Sequence, residues 1–486
     1  MKTVNKVKEL EFFRRQFLLT VHGNFNLPWK SIKILNYNLY YHPELEFEHV
    51  SNMGNDLYLL GFIFDYENPE YSNKEILNYL SNAISFDHFL ERLAKYSGHY
   101  VIIYKNGEKI ILLNDACAQQ EIYYDTLFST FGTQPKLLSK VISLIPHNSE
   151  EASSFYSSST FLTERIFIGE TTHIENIKHL LPNHYIDVKL KSIFRFFPKN
   201  SIKPIALSEA SEQSLNMLRG YIKAVFLRSK ICMSVTGGYD SRTLFLASLN
   251  VDCKYYVTKL SKMNYKHNDI VIPQKLTKLF DKEFKVIVEN PFNDYEKNIQ
   301  NTSIDFPREW SKPDKEFMNH INIIGNISEI ARNSYGYFNR ITPETLSILS
   351  GYQGIKFVRN EYKKWLERNS QLFSEKGFNL LDMFYWEERM GNWCAKNKTE
   401  MNSLGIINYS PFCSHKLLVT LLSTNRKYRD VHFNKLYIHM MKIVSPEASR
   451  LPINPSLKKN IIRLLQFIKV FNFLQRLKLR YYLIRF

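Results

Sequence analysis

Thr236-Gly237-Gly238-Tyr239-Asp240-Ser241 combines the residue types and spacing best suited to chemistry in this chain. Two adjacent glycines let a backbone approach a phosphate with no Cβ in the way. Asp240 offers a hard oxygen of the kind magnesium takes while it keeps substrate phosphates in its shell. Upstream, Ile231-Cys232-Met233 is short and strand-like; downstream, residues 243–249 read as the first turns of a buried helix. A strand that breaks at a Gly pair and re-enters a helix aims several N–H groups and the positive end of the helix dipole at one spot. That spot favours a phosphate or pyrophosphate. An ordinary tight turn in an α/β domain would use the same residues. No G-x-x-x-x-G-K-[ST] is present, which excludes a Walker-type loop.

The elements that must position this loop are legible in outline. A chain of 486 residues implies two to three domains. Residues 97–104 and 110–116 are apolar strand candidates joined through Asn106-Gly107, a strong hairpin signal, and residues 121–124 form a third candidate. The Ser-rich stretch 153–160 reads as a loop. Five cysteines, Cys117, Cys232, Cys253, Cys394 and Cys413, are scattered with no C-x-x-C. That pattern indicates reduced thiols, with neither a disulfide framework nor a metal site. No apolar signal core follows Met1 and no run is long enough to span a bilayer, so the expected location is cytoplasmic.

The loop closely resembles the S-G-G-x-D-S pyrophosphate loop of the ATP pyrophosphatase (PP-loop) superfamily, with Thr236 keeping the leading hydroxyl. Further segments resemble the asparagine synthetase family. Asn114-Asp115 followed by Tyr123-Tyr124 resembles the end of its glutamine amidotransferase domain, and residues 169–184 resemble its interdomain connector, with Pro182-Asn183 in place of Pro-Gly. Asn322-Ile323-Ile324-Gly325-Asn326-Ile327-Ser328-Glu329 resembles the strand and G-x-G-x-D-E loop. There Ile327 replaces a glycine and Glu329-Ile330 the acidic pair. Arg389-Met390-Gly391 and Ser410-Pro411-Phe412 resemble an R-x-G segment and a P-F-L-D whose Asp is Ser414 here.

The resemblance implies an α/β fold. A degenerate amidotransferase-like α+β layered domain over 1–195 would precede a doubly wound, parallel-sheet, adenine nucleotide α-hydrolase-like synthetase domain over 205–455. It further implies an ATP-dependent, AMP-forming carbon–nitrogen ligase that adenylates a small-molecule carboxylate and passes the acyl group to an amine donor. Val235, Thr236, Gly237, Gly238, Asp240, Ser241, Val257 and Gly325 would bind ATP, and Asp240 and Glu329 would hold Mg2+. The residue after Met1 is Lys2 where glutamine-using members carry the nucleophilic Cys, so no glutamine hydrolysis is expected. The family's R-P-K lysine has no counterpart in residues 446–455. Lys458 and Lys459 follow closely and are the catalytic candidates, a solvated helix start being the plainer reading of both. Residues 378–393, with Glu387, Glu388 and Arg389, would wall the substrate pocket or simply pack as a helix. A non-catalytic nucleotide-binding descendant is the alternative.

The net charge is +17, and residues 456–486 carry eight basic side chains and no acidic one. Apolar residues recur there at helical spacing, which fits a helix lying on an anionic membrane surface or packed on its own domain. Basic PP-loop proteins also include tRNA-modifying enzymes. With the charge concentrated in the tail and the cysteines unpaired, nucleic acid is not the expected partner.

Overall fold

The computed structural model describes residues 11–23, 25–289, 317, 319–338, 340–455, 461–462, 465 and 470–485. Its first twelve strands are β1 (Phe17–Thr20), β2 (Lys30–Ile34), β3 (Tyr37–Tyr41), β4 (Phe47–Asn52), β5 (Asn55–Phe64), β6 (Ser97–Asn106), β7 (Lys109–Asn114), β8 (Tyr123–Asp125), β9 (Thr130–Gly132), β10 (Ile177–His179), β11 (His184–Asp187) and β12 (Ser192–Arg195). They pair antiparallel in two sheets, ordered β10-β8-β9-β1-β3-β2 and β12-β11-β7-β6-β5-β4. The period-2 rule explains the layering. Tyr58, Leu60, Val101, Ile103 and Leu112 face the other sheet and meet Phe17, Leu19, Leu39 and Phe131. Their neighbours Leu57, Leu59, Ile102 and Ile111 face outward onto Ile76, Leu77 and Phe89, which lie on the helices Asn73–Ser81 and Phe86–Leu93.

The Asn106-Gly107 hairpin forms as read, with Asn106 opposite Lys109 and Gly107 at φ +55°. Residues 121–124 contribute to β8, which lies in the other sheet between β9 and β10. The Ser-rich stretch is not a loop. It lies in two short helices, Glu150–Ser157 and Ser159–Glu164: Ser149, just before it, accepts from the Ala152 N–H, and its own Ser158 from that of Phe161. Buried Phe155, Tyr156 and Phe161 anchor them. Composition alone suggested a loop, but the apolar triplet within it decides the structure.

Five more strands, β13 (Ile231–Ser234), β14 (Cys253–Lys259), β15 (Phe284–Val288), β16 (Ile321–Ile323) and β17 (Ile407–Tyr409), form a wholly parallel sheet ordered β15-β14-β13-β16-β17. The chain adds strands outward from β13 to one edge and then returns to build the other side. β13 and β16 therefore flank the point where the winding reverses, the position at which such sheets open a crevice beyond their strand ends.

β12 ends at Arg195 and the helix Leu207–Arg228 opens the second half. One apolar interior nevertheless runs through both, from Phe13 and Leu18 to Tyr221, Leu244, Trp386 and Leu417. A buried polar seam reinforces it along a π-helix, Tyr385–Cys394. Trp386 Nε1 donates to the Ala116 carbonyl at 2.7 Å. Glu387 accepts from Arg195 Nη1 at 2.5 Å and Nη2 at 2.9 Å, from Trp365 Nε1 and from Asn183 Nδ2. A Cβ on Gly391 would stand 2.6 Å from Pro182 Cδ, so only glycine allows this approach.

Candidate functional site

β13 delivers Val235–Ser241 to the reversal point, and the helix Tyr239–Ala247 leaves it. Gly238 is the N-cap and no side chain caps this helix, so its first-turn N–H groups lack the usual internal acceptor. Elsewhere the loop is closed on itself. The Ser241 hydroxyl takes the Thr236 N–H at 3.0 Å and lies 3.1 Å from Thr236 Oγ1, which in turn takes the Gly238 N–H at 3.3 Å. Asp269, in the first turn of the helix Asn268–Lys278, accepts the Gly237 N–H at 2.9 Å. A carboxylate therefore already sits on one donor that a phosphate would use.

The loop is also strapped from above by residues 448–455. Arg242, wholly buried, donates to the carbonyls of Ala448, Leu451 and Pro452 at 2.7–3.2 Å, and burial lowers its pKa to about 10. The Asn454 N–H returns to the Gly237 carbonyl at 3.0 Å, and Asn268 Nδ2 holds the Pro455 carbonyl.

β16 brings the second segment. A Cβ on Gly325 would lie 2.7 Å from Asp240 Cβ, so the two loops touch at the one place where a side chain is missing. Ile327, fully buried, occupies φ +79° and caps a 3-10 turn, Ser328–Arg332. This is a left-handed conformation that a β-branched residue adopts only under constraint. It is a conformation that glycine adopts freely and that an isoleucine holds here.

Glu329 lies at the start of that turn and Arg332 at its end. Arg332 Nη1 is 2.7 Å from Asp240 Oδ2. Asp240 Oδ1 and Glu329 Oε2 are both buried without a hydrogen-bond partner. Burial, and then the Asp240 charge, push the Glu329 carboxyl up to about 7 against the pull of Arg332. Burial lowers Arg332, but the two carboxylates outweigh it and hold the guanidinium above its ordinary value. As arranged, the acidic pair does not fit magnesium. The ion needs near-octahedral oxygens about 2.0–2.1 Å away; the pair leaves it only Asp240 Oδ1 and Glu329 Oε2, and the guanidinium on Asp240 Oδ2 sets a fixed positive charge against any cation placed between them.

The structure thus brings together Thr236, Gly237, Gly238, Asp240, Ser241, Gly325 and Glu329. Val235 and Val257 are buried at the carboxyl ends of β13 and β14, where the Val235 N–H bonds the Tyr256 carbonyl. Lys458 and Lys459 lie outside the described residues. Glu387 does not face a substrate: it is fully buried and its oxygens are consumed by Arg195, Trp365 and Asn183. Glu388 accepts the Gly169 N–H at 2.9 Å, and Arg389 stands over the Trp393 ring at 4.8 Å. Sequence reasoning missed Arg332, Asp269 and Arg242. Arg332 carried a faint signal, three residues beyond Glu329 on one helical turn; Asp269 carried none. Two clefts of about 1000 and 1180 Å3 open at the junction of the halves, and neither is lined by loop residues.

No family model matches the chain, and no curated protein matches it. Among solved structures, one described as the allosteric regulatory enzyme of purine biosynthesis is 8% identical and covers 59% of this chain and 78% of its own, with a TM-score of 0.25. A glutamine phosphoribosylpyrophosphate amidotransferase from B. subtilis, complexed with ADP and GMP, is 8% identical over 67% of this chain and 73% of its own, with a TM-score of 0.24. At scores this low neither likeness carries an argument.

Proposed function

We propose that this chain is an ATP-dependent, AMP-forming amide ligase of asparagine-synthase type, with an amidotransferase-like layered half before its nucleotide-binding half. The observation that carries the reading is the convergence of the Thr236–Ser241 loop and the Gly325 loop at the winding reversal of a parallel sheet, with an uncapped helix N-terminus between them. A substrate carboxylate oxygen attacks the α-phosphorus of ATP, the bond to the β-phosphate breaks, and pyrophosphate leaves. An amine then forms the C–N bond, loses a proton to solvent and displaces AMP. Such chemistry asks the protein for in-line placement and charge neutralisation more than for a proton donor. Helix-terminal N–H groups and the Thr236 and Ser241 hydroxyls would hold the phosphates.

A second reading, a nucleotide-binding descendant without catalysis, is favoured by the Asp269 carboxylate on the Gly237 N–H. AMP and pyrophosphate release from ATP with small carboxylates, in ammonium and glutamine arms, separates the two. AMP formed with ammonium and lost in Asp240→Ala supports the ligase. ATP binding without AMP in any arm supports the descendant.

The tail helix Phe471–Arg485 is proposed to rest on an anionic membrane surface. One side packs near the helix Pro343–Leu349, with Phe471 against the His432 ring. Phe473, Leu474, Leu477 and Tyr481 remain 42–60% exposed at spacings that share a face. No described helix is long and apolar enough to cross a membrane. Cosedimentation with phosphatidylglycerol vesicles, and its loss in Phe473→Ser/Leu477→Ser, tests this.

A further inference from the structure

The second loop sets a fixed cation, Arg332, beside its two carboxylates, and that juxtaposition has a chemical meaning. Arg332 is fixed from three sides. Ile327 at φ +79° and Asn333 at φ +47° bend the chain at the two ends of the turn. Arg426 then holds the turn's exit through the Asn333 side chain and the Gly336 carbonyl. Asp240 grips one arm of the guanidinium. Its side chain still has 16% of its surface open, as does Asp240 with 17%. The Tyr239 ring, on the first turn of the loop helix, lies 6.0 Å from the guanidinium carbon. The cation therefore sits at the mouth of the loop with donors to spare.

A guanidinium differs from a divalent ion in ways that suit a phosphate. It is charged at every working pH and is planar, with five N–H donors that match phosphate oxygens in pairs. It needs no inner shell of water and oxygen ligands. A divalent ion placed between Asp240 and Glu329 would compete with it for the same carboxylate, like charge against like. Among the described residues no group of His, Cys, Asp and Glu side chains is arranged to hold a metal elsewhere.

We infer that Arg332 replaces the divalent cation at this site: gripped by Asp240, it presents its remaining donors to the nucleotide phosphates, so that this loop binds them without a metal ion. The phosphate half of the inference rests on the nucleotide reading above; the metal half does not.

The experiment has a metal arm and a nucleotide arm. In the first, Mn2+ alone is titrated into the full chain and followed by electron paramagnetic resonance. Wild type is expected to take up no ion that depends on Asp240, while Arg332→Ala gains one site that Asp240→Asn in the same chain removes. In the second, ATP binding is measured by calorimetry in EDTA and in Mg2+. Wild type is expected to bind within about threefold under both conditions. Arg332→Ala should lose about tenfold or more in EDTA, the scale of a charge-assisted hydrogen bond, and recover with Mg2+. Arg332→Lys keeps the charge and serves should the alanine variant fail to fold; it should exclude Mn2+ as wild type does. Asp240-dependent Mn2+ binding by wild type, or ATP binding that requires a divalent ion, overturns the inference. ATP that binds in no arm overturns the phosphate half together with the nucleotide reading, and the manganese arm still decides the metal half.

Discussion

The two loops at the winding reversal are held in different ways. The first, Thr236–Ser241, has its backbone donors partly turned inward, to Ser241 and Asp269. The second, Gly325–Asn333, leaves two carboxylate oxygens without a partner and follows a strained path, with an isoleucine at φ +79°. Residue identity and chain path are therefore separable properties of a site. Packing against Asp240 at Gly325 and the fully buried Ile327 side chain fixes the path of the second loop, whatever its chemistry has become.

The comparison can be broken at several points. Asp240→Ala has the largest expected effect, since it removes a loop carboxylate and the partner of Arg332 together. AMP formation should fall by about a hundredfold or more, on the scale of losing a positioned charge. Arg242→Met tests whether the first loop depends on the strap over it. Three carbonyls would lose a buried donor, and urea unfolding should show a loss of about 3 kcal/mol. Strain in the second loop is read from a pair of variants. Ile327→Gly and Ile330→Gly empty equally buried sites, but the first also relieves a left-handed φ. Ile327→Gly should therefore cost about 1–2 kcal/mol less.

The smallest effect lies at the junction of the halves and serves as the contrast to both loops. Burial, together with the Glu387, Glu361 and Glu170 charges, pushes the Glu388 carboxyl up to about 8 from 4.5. Between those values the native chain holds a proton that the unfolded chain sheds, so stability falls as pH rises from 4.5 to about 8. Glu388→Gln should flatten that slope, with a gain of about 1 kcal/mol in unfolding free energy from urea titration at pH 8 and little change at pH 5.

Local rules were enough for the strand, Gly pair and helix at residues 231–247 and for the hairpin at Gly107. Each depends on neighbours a few residues apart. They failed at residues 153–160, where serine content outweighed Phe155, Tyr156 and Phe161 in the reading and yielded to them in the fold. Contacts across long stretches of chain were out of reach. Nothing near Gly237 announces Asp269, and nothing near Glu387 announces Arg195. That an isoleucine stands where the resemblance would set a glycine was plain from the residues; that its backbone would take a positive φ was not, because only the surrounding packing enforces it.

The strap has a consequence in time as well as in space. Arg242 is made early, yet the carbonyls that receive its guanidinium belong to residues made as many as 210 positions later. Until those residues emerge from the ribosome, the Arg242 cation beside the Thr236–Ser241 loop lacks these carbonyl acceptors. The parallel sheet can pair while synthesis proceeds, but the loop at its centre is finished among the last parts of the molecule. A nascent chain halted before residue 448 should therefore carry the sheet without a settled loop, open to chaperones and proteases at a place the finished protein straps down.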